Sequence, residues 1–403
     1  MRTHRLVAWG ILAAALAGPP AVRGQTTYSY TLIATTGGTS QFSALFAPSL
    51  NAAGTAAFGA NLTAGGSGVF TGNGTTTTTI AQTGATFTGF SDASGVIMPA
   101  INPTSNAVAF FATRTPGAGG GGGIFRGDGT TTTPIGTTPT FTTFNTFPGV
   151  NSANTVSFTA ALPSGTQQVL AGNGTTTTPI ATSGTSVPSF AGPTAVNAAG
   201  TVAFIANFSN GSQQVLVGNG GAVSPIATTG TAVPSFVGPV SINGVGTVAF
   251  VGNLAGGGQA VFAGNTSTVA TIASTGTSVT GFGNFASINA SNLVAFAATM
   301  SGGGQTIFVG NGTTATPVIQ TGNALAGSTV TSLALGPFAF NDLGQVAFAA
   351  GLANGRQGVF VATPVPEPSG VLAAAAAGLA GAAAVRRWRR GRGNIPDIFT
   401  AGA

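Results

Sequence analysis

Charge and cysteine are what this sequence lacks most. Only 4% of its 403 residues are charged, and it contains no cysteine. Without cysteine there is no disulfide framework and no thiolate metal site, so stability must come from an apolar core. Disordered chains usually combine low hydrophobicity with high net charge, whereas 43% of these residues are hydrophobic. The composition therefore indicates packed β-structure with an uncharged polar surface.

The formal charge of +6 is concentrated at the two ends of the chain. Eight of the eleven arginines fall within the first 25 or the last 20 residues. The long middle carries three arginines and three aspartates, which balance each other: Arg114, Arg126, Arg356, Asp92, Asp128 and Asp342. A neutral domain releases few counterions from a phosphate backbone, so we expect no nucleic-acid binding.

Residues 1–24 have the three parts of a secretory signal peptide. Arginines at the start are followed by the apolar run Leu6 to Gly18 and by small residues that end near Gly24. The run of about 13 apolar residues is short for a membrane span, which needs roughly 20. We therefore expect residues 1–24 to be removed on export, so that a β-repeat domain, residues 25–364, begins the mature chain.

The other end of the chain has the order of a stop-transfer segment. The apolar residues 370–385 precede an arginine cluster made of Arg386, Arg387, Arg389 and Arg390. Positive residues stay on the cytoplasmic side, so this order leaves the preceding domain outside the membrane. We expect residues 370–385 to form a single transmembrane helix, which is short and alanine-rich and therefore suits a temporary anchor.

The motif Pro366-Glu367-Pro368, the apolar helix and the arginine cluster, in that order, resemble the PEP-CTERM sorting signal. The resemblance covers residues 365–392, and the chain departs from the family pattern in its tail extension, residues 393–403. It implies a substrate of exosortase, which removes the tail and passes the protein to the cell envelope or extracellular matrix of bacteria that make exopolysaccharide. The implied partners are exosortase, the secretion machinery and, before processing, the membrane. An ordinary anchor that is never processed is the alternative.

Between the two ends the sequence repeats itself. A marker asparagine recurs at spacings of 51, 49, 46, 46, 46 and 52 residues: Asn51, Asn102, Asn151, Asn197, Asn243, Asn289 and Asn341. The pattern Asn-x-x-Gly, as in Asn197 to Gly200, suits a β-turn, and Asn-Gly pairs between β-branched runs predict tight hairpins. Each of the seven units of about 46 residues is therefore predicted to be a four-stranded antiparallel meander.

Four strands in about 46 residues match the blade of a β-propeller, and seven blades lie within the usual range. An isolated strand around Tyr30 precedes the first complete unit, and the last unit ends at a strand that begins at Gln357. The first strand is thus expected to complete the last blade and to remove free sheet edges. The sequence predicts an all-β, seven-bladed propeller; the alternative is an open β-solenoid with two coils in each unit.

One phenylalanine recurs seven or eight residues after each marker: Phe58, Phe110, Phe158, Phe204, Phe250, Phe296 and Phe348. A strand position that stays apolar in every unit indicates core rather than an aromatic binding row. The threonine runs 75–79, 130–133 and 175–178 are expected on solvated outer strands, where they could also form a polar array for a glycan or for ice.

Groups that could perform catalysis are scarce in the middle of the chain, which has no His, Lys or Glu. Asp92 and Asp128 form the one conceivable pair of carboxylates, and both, like Asp342, have turn-forming explanations. Glycoside hydrolysis needs paired carboxylates, and a calcium site needs several oxygen ligands. We therefore predict no catalytic residue, no metal, no cofactor and no enzyme activity.

The leading hypothesis is an exported structural or adhesive protein, anchored at the cell surface or released into the matrix. Its partners would be exopolysaccharide or other matrix proteins, which it would bind through hydrogen bonds. Two alternatives remain open, a propeller enzyme that acts on extracellular polysaccharide and a module that binds a small ligand in the central channel. A specific pocket usually breaks a repeat, so the second and seventh units, which diverge most, are the place to look for one.

Overall fold

The structure, a computed structural model, describes residues 27–91, 95–145 and 147–365. They form seven antiparallel β-sheets of four or five strands. Each sheet contacts the next through its innermost strand, and the last sheet contacts the first, so the sheets close into a circle. This architecture is a seven-bladed β-propeller, as the repeat predicts, and the solenoid alternative is wrong.

Several expectations concern parts of the chain outside the described residues. These are the signal peptide (1–24), the sorting signal with its apolar segment and arginine cluster (365–392, beyond Val365), the tail extension (393–403) and Asp92. Within 27–91, 95–145 and 147–365, no helix is long and apolar enough to cross a membrane.

The strands of each blade run from the channel outward, and we number them first to fourth within a blade. The chain begins with β1 (Thr27–Thr35), which belongs to the last blade. In blades 1 to 3 the first strand is divided into two short pieces, a difference from the predicted simple meander. Blade 1 consists of β2 (Phe42–Leu45), β3 (Ser49–Leu50), β4 (Ala56–Leu62), β5 (Ser67–Gly72) and β6 (Thr77–Gln82).

Blades 2 and 3 have the same divided first strand. Blade 2 consists of β7 (Phe87–Gly89), β8 (Ala100–Ile101), β9 (Val108–Arg114), a 3-10 turn (Pro116–Ala118), β10 (Gly122–Gly127) and β11 (Thr132–Thr137). Blade 3 consists of β12 (Thr143–Phe144), β13 (Gly149–Val150), β14 (Val156–Ala161), β15 (Gln167–Gly172) and β16 (Thr177–Thr182).

Blades 4 to 6 are regular four-stranded meanders. Blade 4 consists of β17 (Ser189–Val196), β18 (Val202–Asn207), β19 (Gln213–Gly218) and β20 (Ser224–Thr228). Blade 5 consists of β21 (Ser235–Ile242), β22 (Val248–Asn253), β23 (Gln259–Gly264) and β24 (Val269–Ser274). Blade 6 consists of β25 (Val279–Ile288), β26 (Val294–Met300), β27 (Gln305–Gly310) and β28 (Ala315–Gln320).

Blade 7 is completed by the beginning of the chain, as the sequence predicts. It consists of β29 (Ala324–Leu325), β30 (Ser328–Phe340), β31 (Val346–Leu352), β32 (Gln357–Val365) and β1. Strand β1 pairs antiparallel with β32, from Thr27 opposite Val365 to Thr35 opposite Gly358. The hydrogen bonds of this pair join the two ends of the domain, so the circle of blades is closed by the backbone.

The core lies between adjacent blades and is built on the recurring phenylalanines. All seven are buried, with exposed fractions of 0 to 2%, which confirms the core prediction. In blade 5, Phe250 stacks on Phe262 of the third strand at 5.4 Å and meets Phe236 of the first strand edge-on at 5.2 Å. Such ring pairs add about 0.5–1.5 kcal/mol beyond their burial.

Glycine is required where the outer hairpin of one blade packs on the preceding blade. Gly174, in the hairpin between the third and fourth strands of blade 3, has a φ of +99°, and a Cβ there would lie 2.4 Å from the Cγ2 of Thr133 in blade 2. A side chain is therefore excluded both by the backbone conformation and by the neighbouring threonine. These contacts join the threonine-rich outer strands into a continuous surface.

The closing strand can be monitored directly, because the two tyrosines of the chain both lie in it. The Tyr30 hydroxyl donates a hydrogen bond of 2.6 Å to the Val318 carbonyl of blade 6. Burial raises the pKa of Tyr28, as does the adjacent Tyr30, and burial also raises the pKa of Tyr30 above the ordinary value of 10.0. The folded state thus favours neutral phenols. The stability that depends on the neutral tyrosines is therefore fully present below pH 10, and it is lost as the pH rises through their raised pKa values.

We therefore expect phenolate absorbance to appear only above pH 10 and together with loss of the β-sheet circular dichroism signal. The measurement is a joint absorbance and circular dichroism titration, with Tyr30→Phe used to isolate Tyr28. Ionisation of both tyrosines at the ordinary pKa with the sheet signal intact would contradict the closed arrangement.

Candidate functional site: the central channel

Each marker asparagine organises the turn between the first and second strands of its blade. The side-chain Oδ1 of Asn197 accepts hydrogen bonds from the backbone N–H groups of Ala199 at 3.1 Å and Thr201 at 3.0 Å. The N–H of Gly200 donates to the Asn197 carbonyl at 3.0 Å, which confirms the predicted β-turn. Five other markers accept from the same two positions, and Asn102 accepts from the second and third residues that follow it.

The side-chain nitrogen, Nδ2, of each marker asparagine bonds to the next blade. From blade 3 to blade 7, and from blade 7 back to blade 1, the Nδ2 group donates to the backbone carbonyl of the next marker asparagine at 2.9 to 3.5 Å. In blades 1 and 2 the Nδ2 group donates instead to a carbonyl and an amide oxygen within the next turn, as from Asn102 to Ser152 and Asn154. The seven amides therefore form a closed circle of inter-blade hydrogen bonds, which we call the asparagine ring.

The asparagine ring is buried, with exposed fractions of 0 to 6%. A buried amide costs stability unless it is hydrogen-bonded, and here both ends of every side chain have partners. The ring consequently has a structural role. Each of its amides has a partner within the fold at its oxygen and another at its nitrogen.

A cavity of about 300 Å³ opens at the axis on the side of these turns, and residues of all seven blades line it. The residues just before the markers form an apolar wall: Leu50, Ile101, Val150, Val196, Ile242, Ile288 and Phe340. The residues just after the markers surround the mouth and are mostly small: Ala52, Pro103, Ser152, Ala198, Gly244, Ala290 and Asp342. The volume lies at the lower end of the range for small-molecule sites.

Blade 7 breaks the repeat at this cavity. It contributes Phe340 where the other six blades have an aliphatic residue, and Asp342 where they have an uncharged one. It also contributes Phe338 three positions before its marker, where the other units have proline, threonine, valine or alanine. Phe338 packs against clusters of blades 2 to 5 on the other side of the axis. The seventh unit is one of the two that diverge most in sequence and that the ligand-binding alternative therefore indicated as the place to look for a pocket.

Asp342 is the one carboxylate that lines the cavity among the described residues. Its Oδ1 accepts a hydrogen bond of 2.7 Å from the Ala290 N–H in blade 6, which fixes the carboxylate at the mouth. The residue is solvent-exposed. The cavity thus has one carboxylate at its mouth and two phenylalanine side chains in its lining.

Asp128 is not one of the residues that line the cavity. It lies in the outer hairpin of blade 2, between β10 and β11. Its Oδ1 accepts hydrogen bonds of 2.8 Å from the N–H groups of Thr131 and Thr130, and from the Thr130 hydroxyl. These bonds, led by that from Thr131, hold the pKa of the Asp128 carboxyl well below its usual range. Asn173 occupies the same position in blade 3 and accepts the same set of bonds. Asp128 therefore has the turn-forming role that the sequence predicts.

A second inter-blade bond was missed by the sequence analysis. The third strand of five blades begins with glutamine, and its Oε1 accepts a backbone N–H from the first strand of the next blade at 2.8 to 3.0 Å. The glutamines are Gln167, Gln213, Gln259, Gln305 and Gln357. Blades 1 and 2 have Ser67 and Gly122 at this position. The recurrence of glutamine at the start of the third strand is the sequence signal that could have revealed this bond.

Within the described residues, no group of three or more His, Cys, Asp or Glu side chains could hold a metal ion. The cavity likewise offers a single carboxylate. Its lining also includes apolar and aromatic side chains.

Comparisons with known proteins show limited likeness. A family of unknown function, DUF7453, matches residues 304–372, from blade 6 into the segment after blade 7. No curated protein matches the chain. Similar solved structures include YCF48 bound to D1 peptide, with 12% identity, a TM-score of 0.44, and coverage of 87% of this chain and 100% of that chain. They also include AofleA from Arthrobotrys oligospora, with 10% identity, a TM-score of 0.40, and coverage of 70% and 86%.

A fucose-binding lectin of Aleuria aurantia, described as a six-bladed β-propeller, is similar at 8% identity with a TM-score of 0.36, covering 71% of this chain and 91% of the lectin. Identities and TM-scores this low carry no argument about activity or ligands. The functional conclusions below therefore rest on the residues of the chain itself.

Asn197 and Asn173 both organise turns, but of the two only Asn197 belongs to the asparagine ring. We therefore expect their substitution to lower the free energy of unfolding by different amounts. Asn197→Ala removes a bond to blade 5 and leaves buried N–H and carbonyl groups unpaired, so we expect it to lower the free energy of unfolding by about 3 kcal/mol. Asn173→Ala removes the bonds of an exposed hairpin and should cost less than about 1 kcal/mol. Urea unfolding of both variants measures the difference. Equal losses would show that the inter-blade bond contributes nothing.

Proposed function

We propose that this chain is an exported, non-enzymatic structural or adhesive protein that is sorted to the cell envelope or the extracellular matrix through its C-terminal signal. The observation that carries the proposal is a closed, formally neutral propeller between two ends that have the order of sorting segments. Closure leaves the strand edges short and protected, which suits a protein that must persist outside the cell.

The surface supports adhesion through hydrogen bonds rather than through charge. The fourth strands of blades 1 to 3 expose threonine side chains, including Thr78, Thr132 and Thr178. Hairpin glycines bring each of these strands against the next blade, as Gly129 does with Thr78. The resulting hydroxyl-rich face matches a neutral polysaccharide, and contacts of this kind are only weakly affected by salt.

The competing proposal, a polysaccharide-degrading enzyme, depends on Asp92 and Asp128. Because blade 3 has Asn173 where blade 2 has Asp128, Asp128→Asn should leave the melting temperature unchanged. We expect the double variant Asp92→Asn/Asp128→Asn to release the same amount of reducing sugar from host exopolysaccharide as the unchanged chain, and both to equal the background. Release by the unchanged chain that the double variant loses would establish the enzyme instead.

The sorting proposal is tested in the native host by fractionation and intact mass measurement. Exosortase-type processing requires the sorting motif, so we expect the unchanged chain outside the cell without either terminal segment. Glu367→Ala should instead accumulate in the membrane fraction at higher mass.

Two controls sharpen this experiment. Asp397→Ala, in the tail extension, changes a nearby carboxylate without touching the motif and should be processed normally. If the unchanged chain and Glu367→Ala both keep the arginine cluster and remain in the membrane, the chain is a permanently anchored surface module and the sorting proposal is wrong.

A further inference from the structure

The central cavity has two properties that the asparagine ring does not explain. The residue just before each marker contributes an apolar side chain to its wall. Its symmetry is broken by a single blade, which supplies Phe338, Phe340 and Asp342. A repeat that is broken only for packing would not need an acidic residue at the exposed mouth.

Each of the three residues can be compared with the residue that its sister units use. Blade 5 has Val240 at the position of Phe338 and Ile242 at the position of Phe340. Blade 6 has Ala290 at the position of Asp342. The other blades therefore complete the circle without an aromatic residue or a carboxylate at these positions. Blade 7 alone places both kinds of group on the same cavity.

We propose that this cavity is a binding site for a small organic cation, an alkyl-substituted or quaternary ammonium group. The electron-rich faces of phenylalanine rings attract such cations within about 6 Å, and an adjacent carboxylate adds direct charge attraction. The apolar side chains of the wall accommodate the methyl or alkyl substituents of the cation, whose burial favours binding.

Other classes of ligand fit the same cavity less well. The amides of the asparagine ring already bond to neighbouring turns, so a sugar would find few free donors and acceptors. An anion would be repelled by Asp342, and among the residues that the structure describes no arginine or histidine lines the cavity. A bare metal ion would meet one carboxylate only, which is too few ligands for calcium or magnesium.

The bond from the Ala290 N–H to Asp342 does not account for the carboxylate. It occupies one oxygen, Oδ1, and an asparagine could accept it equally well. The hydrogen bond between blades 6 and 7 therefore does not require the negative charge of Asp342. This separation allows the charge to be removed while the inter-blade bond is kept.

The test is titration calorimetry of the full-length chain with choline and with its uncharged isostere 3,3-dimethyl-1-butanol. We expect choline to bind about tenfold more tightly than the alcohol. Asp342→Asn should reduce that preference to about twofold or less, while Asp128→Asn, a matched removal of charge on the outer hairpin, should leave it unchanged.

A second variant tests the aromatic wall without creating an unfamiliar core. Phe338→Val introduces the residue that blade 5 uses and should weaken choline binding by at least fivefold, while an unchanged circular dichroism spectrum shows that the variant remains folded despite the packing it loses. Competition for bound choline by phosphatidylcholine vesicles would identify a lipid headgroup as the source of the cation, and binding of free choline alone would identify a soluble one.

The proposal is overturned if choline and the alcohol bind equally, or if neither binds at millimolar concentration. It is also overturned if Asp342→Asn and Asp128→Asn change choline binding to the same extent. Neither result bears on export or adhesion, which are judged by fractionation in the host.

Discussion

Seven buried asparagine side chains connect the blades of this propeller, and most of the architecture depends on them. Each amide uses its oxygen to shape its own turn and its nitrogen to bond the next blade, as Asn197 does between blades 4 and 5. Since an unpaired amide in this position would cost several kcal/mol, neighbouring blades must keep their register.

The junctions between blades are not equivalent. Glutamine bonds support five of them from the outside, but blades 1 and 2 have Ser67 and Gly122 at the corresponding position. At the junction of blades 2 and 3, the Nη1 of Arg126 donates instead to the carbonyls of Asn154 and Asn173 at 2.7 and 3.2 Å. One of the three arginines in the domain is thus used to connect blades, which leaves the neutral surface largely undisturbed.

The sequence predicts the blade count, the closing strand and the buried phenylalanines, because these follow from spacing and alternation within one unit. It does not predict the asparagine ring, since a turn-forming asparagine has the same local pattern whether or not its nitrogen reaches another blade. The glutamine bond was missed for a similar reason, because its partner lies in the following unit. At the cavity, the divergence of the seventh unit pointed to the blade that carries Phe338 and Asp342, but the sequence does not show that both residues line the axis, because the cavity exists only once all seven blades close the circle.

The central claim is that the asparagine ring makes seven similar units unfold as one. Native-state hydrogen exchange, read by mass spectrometry, tests it most directly at the backbone amides that donate to the markers, such as those of Thr55, Thr155, Thr201 and Thr247. If the seven blades unfold together, these amides exchange with one common free energy that equals the free energy of global unfolding. A series of different free energies from blade to blade, as in an open repeat array, would show that the blades unfold separately.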